Sequence, residues 1–366
     1  MSHHQEPTPT AEPTITITLH SPADMIAVLP YLVGYHQDNT IHLVLVDGHH
    51  LKAVLHRELP DRFENVAEFV ADTVHLLTRD RPAAVAVVGH GSGERVTPVM
   101  DALAPALTAQ HIDVVDMIRY ENGRCWSYLC SDPACCPPDG IPYDTGTSPA
   151  VAHLVAAGMV AMPDKETFEK ILQPVQGQQR EAMKAATDTA EARAEAMLND
   201  SNLDEHYWFD EGRRCARECF EHLRDGRPIP AEDLAWLGIL LTAVTVRDIA
   251  FTICCEDGPD VAQRFWTEVT SRIDPRYAAA PAVNLAFTAL RNGAGSLARI
   301  AVNRALQAEP GNSFARLIST ALQAGITPSS LQDDMKVDDL VTSITQYATR
   351  HPRSARPVLL PDDVAP

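Results

Sequence analysis

The sequence predicts an α/β amino-terminal domain, a mixed sheet with flanking helices, followed by an all-α domain that includes a tetratricopeptide-like helical hairpin. Three observations carry that prediction. Strand and helix signals alternate up to about residue 148, with hairpin turns at Asp47-Gly48 and Asn122-Gly123. Beyond it helical spacing dominates and strand signals almost vanish. A run rich in Ala, Glu, Arg and Lys over residues 178–198 has strong helix propensity by itself. The expected division is 1–13 a disordered tail, 14–160 the α/β domain with a Cys-rich loop, 161–350 the helical domain, and 351–366 a second tail. Residues 148–172 suit either domain.

In order along the chain, residues 14–19 are β-branched and read as a strand. Ser21-Pro22-Ala23-Asp24 is a helix start, with a Ser cap, Pro at the first helical position and an acid three residues after the cap. Met25, Ile26, Leu29, Leu32 and Val33 then form an apolar stripe, Pro30 is expected to bend or interrupt it, and Gly34 ends it. Residues 41–46 and 51–57 are paired strands around Asp47-Gly48. A helix follows over 61–77. Residues 83–88 are a wholly apolar strand, as expected of one buried on both faces. Residues 96–107 are helical, and 112–120 pairs with 124–129 across Glu121-Asn122-Gly123. In the second half, 205–223, 231–252 and 260–273 read as helices. Residues 279–289 and 298–309, closed by Pro310 and Gly311, place small residues at tetratricopeptide-like spacing.

With 366 residues and 45% hydrophobic content, the chain can bury real cores. A net charge of −19 argues against binding nucleic acid through its phosphates. The first 160 residues alone carry 8 Lys and Arg against 19 Asp and Glu, so the acidity is not a tail. No signal-like run opens the sequence, and the longest apolar stretch, 234–246, is too short to cross a bilayer. A cytoplasmic protein with no membrane association and reduced cysteines is expected.

The densest chemistry is Cys125, Cys130, Cys135 and Cys136, four cysteines within twelve residues. Thiolates are soft ligands and redox nucleophiles, so the loop can hold zinc, close a switchable disulfide, or only pack. The spacing lacks the paired Cys-x-x-Cys arms of a zinc knuckle. A second candidate is Gly89-His90-Gly91-Ser92-Gly93, a strand-to-helix turn where open α/β sheets bind ligands. Glu94 stands where a dinucleotide fingerprint needs its third glycine, and no Gly-Lys-Ser/Thr follows, so a tight structural turn is the simpler reading. Ten of the fifteen histidines lie in the first ninety residues. His42 and His56 fall on paired strands and can face each other, and His36 follows the first helix near the same sheet edge.

Three stretches together, Leu19-His20-Ser21-Pro22-Ala23-Asp24 with Pro30-Tyr31-Leu32-Val33-Gly34-Tyr35-His36, then the run from Trp126 to Pro137, then the helical pair over 280–311, resemble an actinobacterial family known as domain of unknown function 4192. The resemblance spans residues 16–327. Ser21, Pro22, Asp24, Gly34, His36, Tyr128, Cys130, Cys135 and Cys136 match the family pattern, whereas Cys125 stands where the family has an aromatic. The resemblance implies an actinobacterial cytosolic protein and no particular reaction. No complete catalytic motif is present, which leads to the expectation of an interaction or ligand-sensing protein with a protein partner. The alternatives are a hydrolytic or redox enzyme at the sheet edge, and a structural zinc or thiol-switch protein built on the Cys loop.

Overall fold

The structure is a computed structural model that describes residues 19, 21–48, 50–80, 82–326, 331 and 337–361. The expected strand over 14–19, apart from Leu19, and the expected tail over 1–13 lie outside those residues. The chain divides into two compact units, Met1–Asp164 and Lys165–Pro366.

The first unit is built on a six-stranded mixed sheet: β1 (Thr40–Asp47), β2 (His50–Glu58), β3 (Ala84–His90), β4 (Asp113–Glu121), β5 (Arg124–Ser127) and β6 (Ile141–Pro142), in the order β2-β1-β3-β4-β5-β6. Only β3 and β4 run parallel; the other neighbours are antiparallel. Positive φ at Asn122 and Gly123, 48° and 76°, is the type I′ geometry that matches the strand twist. That turn sets Arg119 opposite Trp126 and Tyr120 opposite Cys125.

Alternation splits the sheet residues between two cores. Ile41, Leu43, Val85, Val87 and Met117 pack under α2 (Val66–Asp80) and α3 (Gly93–Ala109). Val44, Ala86, Val88 and Ile118 meet Ile26 and Leu29 of α1 (Pro22–Val33) on the other face. The start of α1 is a capping box between Ser21 and Asp24. Asp24 also accepts from Ser148 Oγ at 3.0 Å, just before α4 (Pro149–Ala156), so one buried carboxylate orders two helix starts. Pro30 does not interrupt α1, which runs on to Val33 and ends at Gly34 in the left-handed region. His36 N donates to Met162 O at 2.9 Å and Met162 N to Gly34 O at 2.8 Å, which ties the segment after α4 to the end of α1. The ambiguous stretch 148–172 is therefore divided, its first part in the sheet unit.

The second unit is helical throughout its described residues: α5 (Lys165–Glu169), α6 (Gln178–Leu198), α7 (Tyr207–Arg224), α8 (Ala231–Leu240), α9 (Val244–Cys254), α10 (Pro259–Arg272), α11 (Ala279–Arg291), α12 (Gly295–Ala308), α13 (Ser313–Gln323) and α14 (Val337–Arg350). The single helix expected over 231–252 is two. Ala243 N donates to Leu240 O and Thr242 Oγ1 to Ile239 O, which tightens and stops α8, and the β-branched Val244-Thr245-Val246 opens α9. α11 and α12 pack together across the turn at 292–294, with Ala282, Ala286, Ala298, Ala301 and Ala305 buried. This is a helical hairpin, and the fold carries the tetratricopeptide reading no further. Residues 351–361, assigned to a tail by sequence, include hydrogen bonds from Val358 N to Thr242 Oγ1 (2.8 Å) and Leu360 N to Tyr277 Oη (3.2 Å). Among the described residues no helix is long and apolar enough to cross a membrane.

Candidate functional site

The Cys loop leaves the sheet at the end of β5 and is pinned along its length. Ser127 Oγ accepts from the amides of Leu129 and Cys130, both at 3.2 Å. The Asp132 side chain accepts from Ala134 N at 2.9 Å, an Asx turn, while its carbonyl accepts from Cys135 N (3.1 Å) and Cys136 N (2.7 Å). On the return, Trp126 Nε1 donates to Pro138 O (2.9 Å) and Arg124 Nε to Asp139 O (2.7 Å).

These turns bring the sulfurs of Cys130, Cys135 and Cys136 to within 4.8 Å of one another. Cys135 Sγ and Cys136 Sγ are 3.9 Å apart. Tetrahedral zinc with Zn–S near 2.3 Å places its sulfurs about 3.8 Å apart. A disulfide needs about 2.05 Å, so the two sulfurs are not bonded, and their spacing is compatible both with a thiol–thiol contact and with two ligands to one ion. The Asp132 amide, then the Cys136 thiol, bond the Cys130 sulfur and lower its pKa from the ordinary thiol value. Its hydrogen bond with Cys130 pushes Cys136 up to about 12. Of these two thiols, Cys130 is the one whose ionised form the neighbouring donors favour. Cys125 stands apart on β5, half-buried against the α1-side core, and burial raises its pKa.

At the other candidate site the glycines have structural causes. A Cβ on Gly89 would come within 2.5 Å of Val96 Cγ1, so β3 and α3 approach too closely for any side chain. Gly91 has φ 132° and its amide donates to Tyr120 O. At the amino end of α3 the Arg119 guanidinium lies 3.5 Å from a Cβ built on Gly93 and stacks on Trp126 at 3.7 Å. It is paired with Glu121, which already supplies the counter-charge for this corner.

His90 points to the opposite face and joins a buried polar cluster. His56 Nδ1 lies 2.9 Å from His42 Nε2, and Tyr35 Oη lies 3.3 Å from His56 Nε2. The His42 and His90 rings meet edge-on with centroids 5.2 Å apart, and Tyr120 closes the far side. Burial, then the charge of His90 and of His56, holds the His42 pKa well below the usual imidazole value. Burial, then His56 and His36, lowers that of His90 to about 4. Tyr35, His56 and His42 lie at hydrogen-bond distances in series, whereas His90 joins them through ring contacts. No hydrogen bond joins Ser92 to His36 or His90 among the described residues, and the Cys loop bonds to none of the three.

The sequence singled out the cysteines, the glycine turn, His36 and the His42–His56 pair. It missed the Arg119–Trp126 stack, although the register fixed by Asn122-Gly123 predicts it. It also missed Tyr35 as the outer end of the histidine series.

A family model described as Domain of unknown function (DUF4192) matches residues 22–329. No curated protein matches the chain, and no solved structure does.

Proposed function

Since the chain belongs to the DUF4192 family, whose description names no reaction, we propose from its own side chains that it is a metal-binding protein, with zinc held by Cys130, Cys135 and Cys136. The observation that carries the reading is the convergence of three sulfurs, two of them at the spacing of tetrahedral zinc ligands. The loop is fixed before any ion arrives, which lowers the ordering cost of binding. Cys135 is exposed and the other two are partly so, which leaves a fourth position for water or a partner's side chain. A binding and sensing role fits better than catalysis, because among the described residues no hydrogen bond joins Ser92 to His36 or His90.

The test is zinc titration of the reduced full-length chain, with metal content read after desalting. One equivalent retained by the native chain and by Cys125→Ser, and lost in Cys130→Ser and Cys136→Ser, supports the site. Cobalt(II) should give thiolate charge-transfer absorption and tetrahedral d–d bands. A folded chain that retains no metal overturns the proposal, as does equal loss in Cys125→Ser.

A further inference from the structure

A second site emerges in the helical unit, independent of the cysteine loop. Arg304 lies on α12 and is only 6% exposed. Its Nε and Nη2 are both buried, and neither has a hydrogen-bond partner among the described residues. A buried guanidinium with open donors is a costly arrangement that native proteins normally complete with an acceptor. The two open atoms are the side-on pair of the guanidinium, whose parallel N–H bonds match the two oxygens of an oxyanion.

The surroundings do not supply that acceptor. Asp274 is an acid whose charge acts on Arg304, but its Oδ1 accepts from the Arg276 amide (3.0 Å) and Nε (3.2 Å). Its Oδ2 is approached by Arg180 Nη1 at 3.6 Å. Glu191 is paired with Arg276 at 2.9 Å and accepts from Tyr277 Oη. Asp274 therefore serves Arg276 and Arg180 before Arg304, and Glu191 is taken by Arg276 and Tyr277. Burial, then the charge of Arg180, depresses the Arg304 pKa, and the charge of Asp274 offsets this only in part. Arg180 is the third residue of α6, a 21-residue helix whose amino end, at Gly177, has no side-chain cap. The amino end of a helix also favours negative charge.

We propose that Arg304 and Arg180 form a binding site for a small-molecule carboxylate. Arg304 takes the two oxygens side-on, and Arg180 adds its charge from the first turn of α6. Asp274 disfavours a dianion, so a carboxylate suits the site better than phosphate. Arg304 Nε and Nη2 are buried, so a compact group suits the site rather than a folded chain.

Acetate is the probe, compared with chloride at equal ionic strength on the full-length protein. At acetate about ten times its Kd, Tm should rise by several degrees in the native chain. The rise should vanish in Arg304→Met and shrink in Arg304→Lys, which keeps the charge and loses the fork. In chloride alone Arg304→Met should unfold no lower than the native chain, because it removes an unpaired buried charge. Should that variant fail to fold, NMR of the native chain decides: the Arg304 Nε–H resonance should shift with acetate and saturate. An acetate response that is the same in the native chain and Arg304→Met, or an Arg304 Nε–H signal that ignores acetate, overturns the assignment.

Discussion

Gly140 is pressed against the Trp126 indole: a Cβ built on it would fall 2.4 Å from Cε2, and its φ is 76°. The contact clamps the end of the Cys loop onto β5, beside the bond from Trp126 Nε1 to Pro138 O. Gly140→Ala meets both left-handed strain, about 1–2 kcal/mol, and a clash with a ring that cannot move without releasing that bond. Denaturant unfolding is expected to show a loss of at least about 2 kcal/mol. Zinc titration should show affinity lower by about tenfold, since the sulfurs lose their fixed spacing. Unchanged zinc affinity would mean that the loop is positioned without Trp126.

Stability should depend on pH through His90. Its pKa is lowered to about 4 in the folded protein, against about 6.5 in an unfolded chain. Above about pH 6.5 the imidazole is neutral in both states and the full stability is present. As pH falls from there towards 4, the unfolded chain gains a proton that the folded chain refuses, and stability is lost. Between pH 7.5 and 5 this amounts to about 2 kcal/mol. His90→Leu should flatten the fall in denaturation midpoint over that window by about this amount. A slope equal to that of the native chain would show that His90 is protonated normally in the fold.

The parts of this architecture legible in the sequence are those set by local rules. Asp47-Gly48 and Asn122-Gly123 fix two hairpin registers, and from the first the meeting of His42 and His56 follows. The Ser21–Asp24 capping box can be read directly, as can the doubly buried β3. The convergence of Cys135 and Cys136 cannot, because neighbouring side chains ordinarily diverge. Here one carbonyl, that of Asp132, takes both amides and turns the chain. The break between α8 and α9 falls at Leu241-Thr242-Ala243, where no Gly or Pro marks it. Arg304 is hidden for a different reason: an arginine among alanines reads as the solvent side of a helix, and only tertiary packing buries it.

Glu211 on α7 organises a polar knot inside the helical unit. It is buried, and accepts from Trp236 Nε1 (2.8 Å), Arg214 Nε and Nη2 (2.9 and 2.8 Å) and Arg193 Nη2 (3.1 Å), while Arg193 stacks over the Trp236 ring at 3.9 Å. Burial opposes its ionisation, but the bonds from Arg214 and Trp236 prevail and its pKa lies below the usual carboxylate value. Glu211→Ala leaves the indole N–H without its acceptor and the arginines without their anchor. Both arginines are about half exposed and can turn to water, so a loss of about 2–3 kcal/mol is expected rather than the larger penalty of a fully buried pair. Glu211→Gln, which keeps an acceptor for Trp236, should lose less. Equal losses in the two variants would show that charge alone matters here.

The contact between α7 and α9 sets two rules about glycine against each other. Gly212 is buried on α7, where alanine would gain about 1 kcal/mol of helix propensity. A Cβ there would stand 2.4 Å from Val246 Cγ1 and 2.9 Å from Cγ2 on α9. Overpacking of this kind costs about 1–3 kcal/mol, and Val246 is fully buried with no free direction in which to retreat. The clash should prevail, so that Gly212→Ala destabilises the protein despite its better propensity. Val246→Ala alone should also destabilise, by removing two buried methyl groups. Combined, the two should be less damaging than their sum by at least about 1 kcal/mol, because the new methyl fills the space that Val246 vacates. A double-mutant cycle by denaturant unfolding reads this coupling directly. Simple additivity would mean that α7 and α9 can separate by a few tenths of an ångström at no cost, and that the glycine is not what allows their approach.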